Sequence, residues 1–452
     1  MESLKIKDII TAVDGTLLCG DPETEIKDVC TDTRRIGPDS LFVPLVGERF
    51  DAHSFIPAAI EGGCSASLSA NEIASDKPIV LVRDTKEALG KLAAFYRRRF
   101  DLPVVAVTGS VGKTTVKELT AAALSVRLNV LKTAGNFNNE IGLPLTLFRL
   151  AKEHQVAITE MGMSGFGEID ALARMAAPDI GLMTNIGLSH IEKLGTQENI
   201  YKAKAELFNH IHPEGTVIIN GDDPILSAHR ADIGRKVISV GLDDKNDLYA
   251  KDICSTEERV SFTVVHGNEQ HSATLSFPGE HNVTNALLAC GAAMCLNIPL
   301  KEALRGIETY VPGDKRMQIL NKGGITIIND CYNAAPASVE AALKVLSAYT
   351  GRKIAVIGDI RELGDFSESA HRAIGEQAVT FGVSALFTFG EHTRHTAEAA
   401  KKDIASYHFN DITALNNSLS DFLKDGDVVL IKGSRAMQLE RVTDFLVNGR
   451  TK

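Results

Sequence analysis

The chain has 452 residues, and 48 lysines and arginines against 58 aspartates and glutamates leave a net charge of −10. At about 150 residues per domain that length suggests three domains. A composition 44% hydrophobic and 23% charged excludes wholesale disorder, and the acidic balance argues against a nucleic-acid partner, which would call for a basic surplus. The opening MESLKIKDII is mixed, so no signal peptide is expected. The seven cysteines are scattered without a CxxC pair, which fits a reduced, cytoplasmic protein.

Residues 1–84 hold short strands such as LFVPLVG (41–47) and a loop, GERFDAHSF (47–55), dense in charge and aromatics. The helical stretch KEALGKLAAFYRRRF (86–100) then leads to VVAV (104–107). Apolar runs without alternation recur as VAITEMG (156–162), IGLMTNIG (180–187) and TVIING (216–221), spaced widely enough for crossover helices. Such runs suit strands buried on both faces of a parallel sheet. Asn282 to Leu300 carries no charge over 19 residues, but its asparagines and Pro299 predict a buried helix rather than a membrane span. TYVPGDKRM (309–317) interrupts the pattern. ITIIND (325–330), KIAVIGD (353–359), ALFTFG (385–390) and DVVLIKGS (427–434) then repeat the rhythm. The fold class is α/β, with boundaries near 84 and 312.

The residues that carry chemistry fall at the ends of these runs. TGSVGKTT (108–115) stands between VVAV and the helical VKELTAAAL, where a glycine-rich turn presents backbone N–H groups to phosphate. Val107 occupies the first glycine of the longer GxxxxGK[ST] pattern, so the match is to GxxGK[ST] starting at Gly109. Thr108, Gly109, Ser110, Val111, Gly112, Lys113, Thr114 and Thr115 form the expected cradle for a nucleoside triphosphate. Lys113 can reach the β- and γ-phosphates and Thr114 can bind Mg²⁺. Glu160 ends VAITE and offers the oxygen ligand that Mg²⁺ prefers. His190, beyond TNIGLS, is either a loop histidine or a site group, and Lys204 in YKAKAELF (201–208) reads on its own as a solvated lysine. Asn282 and Asn285 share a helix face, although capping accounts for a lone asparagine equally well. Arg316 is a phosphate clamp or an interdomain ion pair, and Asp330 ends a strand. Lys432 and Arg435 of KGSR flank a turn that either grips an anion or is simply solvated.

In this order the pieces resemble the Mur ligases, the ATP-dependent amino-acid ligases of peptidoglycan assembly, over essentially the whole chain. TDTR (31–34) and VGERFDAH (46–53) resemble their N-terminal uridine-nucleotide module, and GNFNNEIGLP (135–144) the loop after the P-loop helix. NDCYNAAPAS (329–338) and GDIRELG (358–364) resemble C-terminal signatures of the branch that adds a dipeptide. Cys331 before Tyr332 and the Asp-Lys pair before Arg316 are small departures. The resemblance implies three domains: a small α/β uridine-nucleotide module over 1–84, a P-loop ATPase with a mostly parallel sheet over 85–312, and a Rossmann-like domain over 313–452. It implies ligation of D-alanyl-D-alanine to UDP-N-acetylmuramoyl-tripeptide through an acyl phosphate, giving ADP and phosphate, by a cytoplasmic monomer.

The resemblance also distributes roles. Lys113 would act on the transferred phosphoryl group. Thr114 and Glu160 would hold one Mg²⁺, and His190 and Lys204 a second, with Lys204 carbamylated by CO₂ and Lys202 its nearby competitor. Asn282 and Asn285 would face the adenine, Asp330 the ribose and Arg316 the phosphates. Substrate contacts would come from Thr31, Asp32, Thr33, Arg34, Gly47, Arg49, Phe50, Asp51, His53, Asn138, Asn139, Tyr332, Asn333, Lys432 and Arg435, with Asp359 and Glu362 beside the last two. Addition of a single third amino acid is disfavoured because a DNPR-like motif is not recognisable, and folate polyglutamylation lacks the TDTR and GERFDAH module. A P-loop switch protein would not need Glu160, His190 and Lys204 together.

Overall fold

The β-branched runs fold as strands buried on both faces in a computed structural model, which describes residues 1–47 and 50–449. Arg49, expected among the uridine contacts, lies outside the described residues. The chain forms two compact units. One comprises Met1–Thr108, Arg127–Leu182 and Ala205–Val217; the other comprises Gly109–Val126, Met183–Lys204 and the chain from Ile218 on.

In the first unit, five strands pair in the order Thr16–Cys19, Ile79–Leu81, Ala66–Ser69, Ser40–Phe42, Asp28–Cys30, with only the Thr16–Cys19 pairing antiparallel. Phe42, Ile56, Ala59, Cys64 and Ile79 form a core beneath them. Asp84 accepts the Glu87 N–H at 2.8 Å and so caps the helix Thr85–Arg97, a contribution of about 1 kcal/mol. Beyond this helix the strands Ile180–Met183, Val104–Thr108, Val156–Glu160 and Val130–Lys132 are neighbours in that order. Val104–Thr108 and Val156–Glu160 are parallel and wholly buried, and Glu160 lies opposite Val107. Parallel pairing therefore puts Glu160 at the sheet edge from which the glycine loop departs.

The second unit contains the helix Lys113–Leu124, capped by Gly112 with φ of +89°. The uncharged run from Asn282 is two helices. His281–Cys295 is buried along most of its length, the chain turns at Asn297 and Pro299, and Leu300–Glu308 follows. Among the described residues, no helix is long and apolar enough to cross a membrane.

The parallel strands of the middle of the chain carry an antiparallel edge. Leu248–Ser255, Val260–His266 and Glu269–Leu275 form an antiparallel meander beside Lys236–Gly241. These strands alternate buried and exposed residues because one face meets solvent. A register shift between Lys251 and Cys254 further blurs their period in the sequence.

Residues 309–317 are irregular, and a six-stranded sheet follows. Its order is Gln318–Lys322, Ile325–Asn329, Val428–Lys432, Lys353–Gly358, Ala385–Phe389, Ala405–Phe409, parallel except at the first edge. Ile327, Val356, Phe387, Leu415 and Val429 lie at its core. Parallel-dominated sheets with crossover helices are the expected α/β class.

Candidate active site

The glycine loop is held by residues well separated from it in sequence. The Ser110 N–H donates to the Asn185 carbonyl at 2.9 Å, and the Val111 N–H donates to Asn185 Oδ1 at 3.0 Å. Asn185 Nδ2 donates back to the Val111 carbonyl at 3.0 Å, and Gly187 N–H donates to Ser110 Oγ at 2.9 Å. Gly109, at φ +142°, must be glycine: a Cβ there would lie 1.9 Å from Thr184 Oγ1. A Cβ at Gly112 would approach Asn285 Oδ1 to 2.9 Å. Lys113 Nζ folds back onto the carbonyls of Gly109 and Ser110 at 2.8 and 3.3 Å. Thr114 and Thr115 occupy the first helical turn, where N–H groups point out of the helix toward an anion.

The helix beside the loop places Asn282 and Asn285 on one face, as their spacing requires. Both are buried, and Asn285 Nδ2 donates to Asn282 Oδ1 at 3.1 Å while Asn282 Nδ2 donates to the Pro278 carbonyl at 2.9 Å. Lys204 is only 1% exposed, so its reading as a solvated lysine is overturned. Burial pushes its amine well below the ordinary lysine range, and the nearby Lys113 charge adds to that. His190, at φ +66°, contacts the Glu362 carboxylate through Nδ1. That contact, ahead of burial, holds the Glu362 carboxyl below its ordinary range.

In the first unit Glu160 is 3% exposed, and Asn138 Nδ2 donates to its Oε1 at 2.9 Å. Thr108 Oγ1 donates to the Met161 carbonyl, and Asn139 Oδ1 accepts from Ile141 and Gly142 N–H groups, shaping the loop 138–142. Asp32 accepts the Arg34 N–H at 3.0 Å and takes its guanidinium in a fork at 2.9 and 2.7 Å, within the turn Thr33–Arg35 that follows Thr31. That pairing pulls the Asp32 carboxyl down to about 2. His53 is buried with both ring nitrogens used. The Ala70 N–H donates to its Nε2 at 3.0 Å, which leaves Nδ1–H to donate to Asp51 Oδ1 at 2.6 Å. Gly47 N–H bonds the Phe50 carbonyl at 2.9 Å, and the Phe50 ring is exposed.

At the strand ends of the six-stranded sheet, Lys432 is buried. Its ammonium donates to Asp330 Oδ2 at 2.6 Å and to the carbonyls of Asn333 and Asp330 at 3.1 and 3.4 Å. Those bonds use its three donors. Asp330 Oδ1 takes the Met317 N–H at 3.1 Å. Arg316 stacks over the Tyr332 ring, 3.9 Å from its centroid. Arg435 pairs with Glu440 at 2.6 Å. Asp359 is buried, with Oδ1 accepting the N–H groups of His392 and Thr393.

Thr184, Asn185 and the Glu362 contact were not found from the sequence. The only local signal for the first two was the TN pair closing a buried strand ahead of Gly187.

Residues 107–293 match the family model of the Mur ligase middle domain, and residues 315–435 that of the Mur ligase glutamate ligase domain. The chain belongs to the Mur ligase family. It is 37% identical over 454 residues, 98% of either chain, to the UDP-N-acetylmuramoyl-tripeptide--D-alanyl-D-alanine ligase of Bacillus subtilis (strain 168). Among solved structures it resembles MurF from Acinetobacter baumannii at 32% identity, with a TM-score of 0.93 over 99% of both chains. It also resembles Thermotoga maritima MurF ligase in complex with ADP, at 28% identity and a TM-score of 0.86, covering 94% of this chain and 97% of that one.

Proposed function

We propose that this chain joins D-alanyl-D-alanine to UDP-N-acetylmuramoyl-tripeptide in the cytoplasm, with ATP converted to ADP and phosphate, and that it works as a monomer. The observation that carries this reading is the GxxGK[ST] loop, clamped by Asn185 in a chain similar over its full length to named ligases of that activity. In this reading residues 1–84 take the uridine end of the substrate through Thr31–Arg34, Gly47, Phe50, Asp51 and His53. Residues 85–312 hold ATP, and residues 313–452 receive the dipeptide. The two matched family segments, 107–293 and 315–435, are consistent with that division.

A carboxylate is a poor electrophile, so amide formation needs activation. The γ-phosphoryl group passes to the terminal carboxylate of the tripeptide, giving an acyl phosphate, and the dipeptide amine then displaces phosphate through a tetrahedral intermediate. The loop amides and Lys113 bind and orient the phosphates, the main lever a protein has in phosphoryl transfer. Thr114 and Glu160 would hold one Mg²⁺ and His190 with Lys204 a second, and such ions supply charge neutralisation on the transferred group. The donors fit. Glu160 is a buried carboxylate oriented by Asn138. The Lys204 amine, pushed toward its neutral form, has the lone pair that adds to CO₂, losing one proton to become an anionic oxygen donor. Asn282 and Asn285 bind the adenine side; Asp330 and Arg316 face the nucleotide when the domains close.

The test is phosphate release from ATP and Mg²⁺ with UDP-N-acetylmuramoyl-tripeptide, with and without D-alanyl-D-alanine. Release that needs the dipeptide, with a product heavier by that dipeptide less water, supports the proposal. Release indifferent to every amine overturns it.

A further inference from the structure

The irregular stretch 309–317 ties the six-stranded sheet to the chain before it, and both of its ends are held. Tyr310 packs edge-on against Phe277 at 5.5 Å, while the Tyr332 N–H donates to the Lys315 carbonyl at 3.1 Å and Lys315 Nζ pairs with Glu440 at 3.2 Å. Between these anchors Val311 is 72% exposed and a Cβ at Gly313 would meet nothing within 4 Å, so the stretch has room to change direction there. Gln318 pairs opposite Asn329, which brings the stretch in at the edge of the sheet where Asp330 and Lys432 stand. A second attachment lies at the opposite edge. The helix Pro336–Ser347 returns from the end of Ile325–Asn329 to the start of Lys353–Gly358, strands that both run parallel to Val428–Lys432, so Tyr349 and Thr350 are about one strand length from Asp330. There they meet the turn 256–259 of the antiparallel meander. The Tyr349 hydroxyl donates to the Glu257 carbonyl at 2.7 Å, and Glu257 Oε1 accepts the Thr350 N–H at 2.8 Å and its hydroxyl at 3.4 Å. The turn is braced from within: the Thr256 N–H donates to the Arg259 carbonyl at 2.8 Å, and Thr256 Oγ1 accepts the Arg259 N–H at 3.3 Å. Glu257 is half-buried although Thr256, Glu258 and Arg259 are exposed, and Tyr349 is buried. Lys344 of the same helix also pairs with Glu280.

We propose that Glu257 is a positioning residue, whose turn clasps Tyr349 and Thr350 and so holds the six-stranded sheet in the pose that presents Asp330 and Arg316 to the nucleotide. A body attached through one irregular stretch can swivel in any direction. A second attachment at its far edge leaves rotation about the line that joins the two. The clasp therefore selects, among the poses that the stretch 309–317 allows, the one that assembles the site. A substrate that needs this pose binds more weakly in proportion to the fraction of molecules outside it, and saturating substrate draws them back. Loosening the clasp should thus raise KM and spare kcat. The inference rests on the ligase reading for the substrates, but the clasp is measurable without turnover.

The experiment compares the wild type with E257Q, E257A and E257A/Y349F by amide hydrogen exchange, small-angle X-ray scattering and steady-state kinetics. In E257A the Thr350 N–H should exchange about tenfold faster or more. The double variant without ligands should have a larger radius of gyration than the wild type, and should return to the wild-type value with ADP, Mg²⁺, UDP-N-acetylmuramoyl-tripeptide and D-alanyl-D-alanine. Its KM for the dipeptide should rise about tenfold with kcat within about twofold of the wild type. E257Q, whose amide oxygen still accepts, should stay near the wild type in all three measurements. Unchanged Thr350 exchange in E257A overturns the proposal. So does an unchanged radius of gyration in the double variant, or a fall in its kcat at unchanged KM. If the wild type ligates no dipeptide, the ligase reading falls, and exchange and scattering still decide the clasp.

Discussion

Lys204 and Lys432 are both almost completely buried, and their surroundings differ in kind. Lys432 ends a central strand of the six-stranded sheet with its ammonium bonded to the Asp330 carboxylate and two carbonyls. Lys204, on the helix Gln197–Ala205, has no ion pair among the described residues, and the charge that acts on it is that of another lysine, Lys113. A buried ammonium with a carboxylate at 2.6 Å is part of the framework. One buried beside like charge is pushed toward its neutral form at a cost in stability, which is the mark of a group retained for chemistry. The contrast separates the helix Gln197–Ala205 from the six-stranded sheet.

The sharpest way to break this comparison is to replace each lysine by methionine. K204M should abolish turnover by at least about 100-fold, the several kcal/mol that a bound metal lends a phosphoryl transfer, while Tm stays level or rises. A folded K204M protein with undiminished phosphate release would remove Lys204 from the chemistry. K432M leaves the partly buried Asp330 carboxylate without its cation and should cost about 3 kcal/mol in urea unfolding. The double variant D330N/K432M should recover most of that loss, and a double variant as unstable as the single one would show that Lys432 contributes by packing alone.

Smaller effects sharpen the same contrast. N185A deletes both side-chain bonds that clamp Val111 and should weaken ATP binding roughly tenfold, measured by calorimetry, with little change in the affinity for the UDP-linked substrate. The smallest effect concerns an exposed pair. Asp32, held at about 2 by Arg34 and titrating nearer 3.9 when unfolded, favours the folded state above pH ~4 and loses that contribution as pH falls toward 2. In D32N the acid limb of Tm against pH should flatten between those values, with Tm at pH 7 shifted by no more than a degree or two.

What the sequence made legible is what local pattern encodes. The glycine loop, the buried parallel strands, and the helix bearing Asn282 and Asn285 all depend on residues within one or two turns of each other. The meander 248–275 was missed because its alternation is broken by the register shift near Lys251, and its outer face carries polar residues that look like loop. Asn185 was missed for another reason. Its bonds to Val111 span 74 residues, and an asparagine ending a strand has the same local appearance whether it braces a loop or merely faces water. The environment of Lys204 is likewise a property of packing, since nothing in YKAKAELF distinguishes it from Lys202 except helical phase. The roles given to Thr31–Arg34 and to Asn333 come from family resemblance, not from their own chemistry.

The strand order of the six-stranded sheet has a consequence for synthesis. Val428–Lys432 lies between Ile325–Asn329 and Lys353–Gly358, so the two earlier strands are not neighbours and meet only through a strand made some 70 residues later. A ribosome that has not yet extruded residue 432 holds a sheet without its centre, and Asp330 waits 102 residues for its lysine. This sheet must close in one late, non-local step. Its exposed half-sheet is therefore the stage of biogenesis at which a chaperone has most to protect.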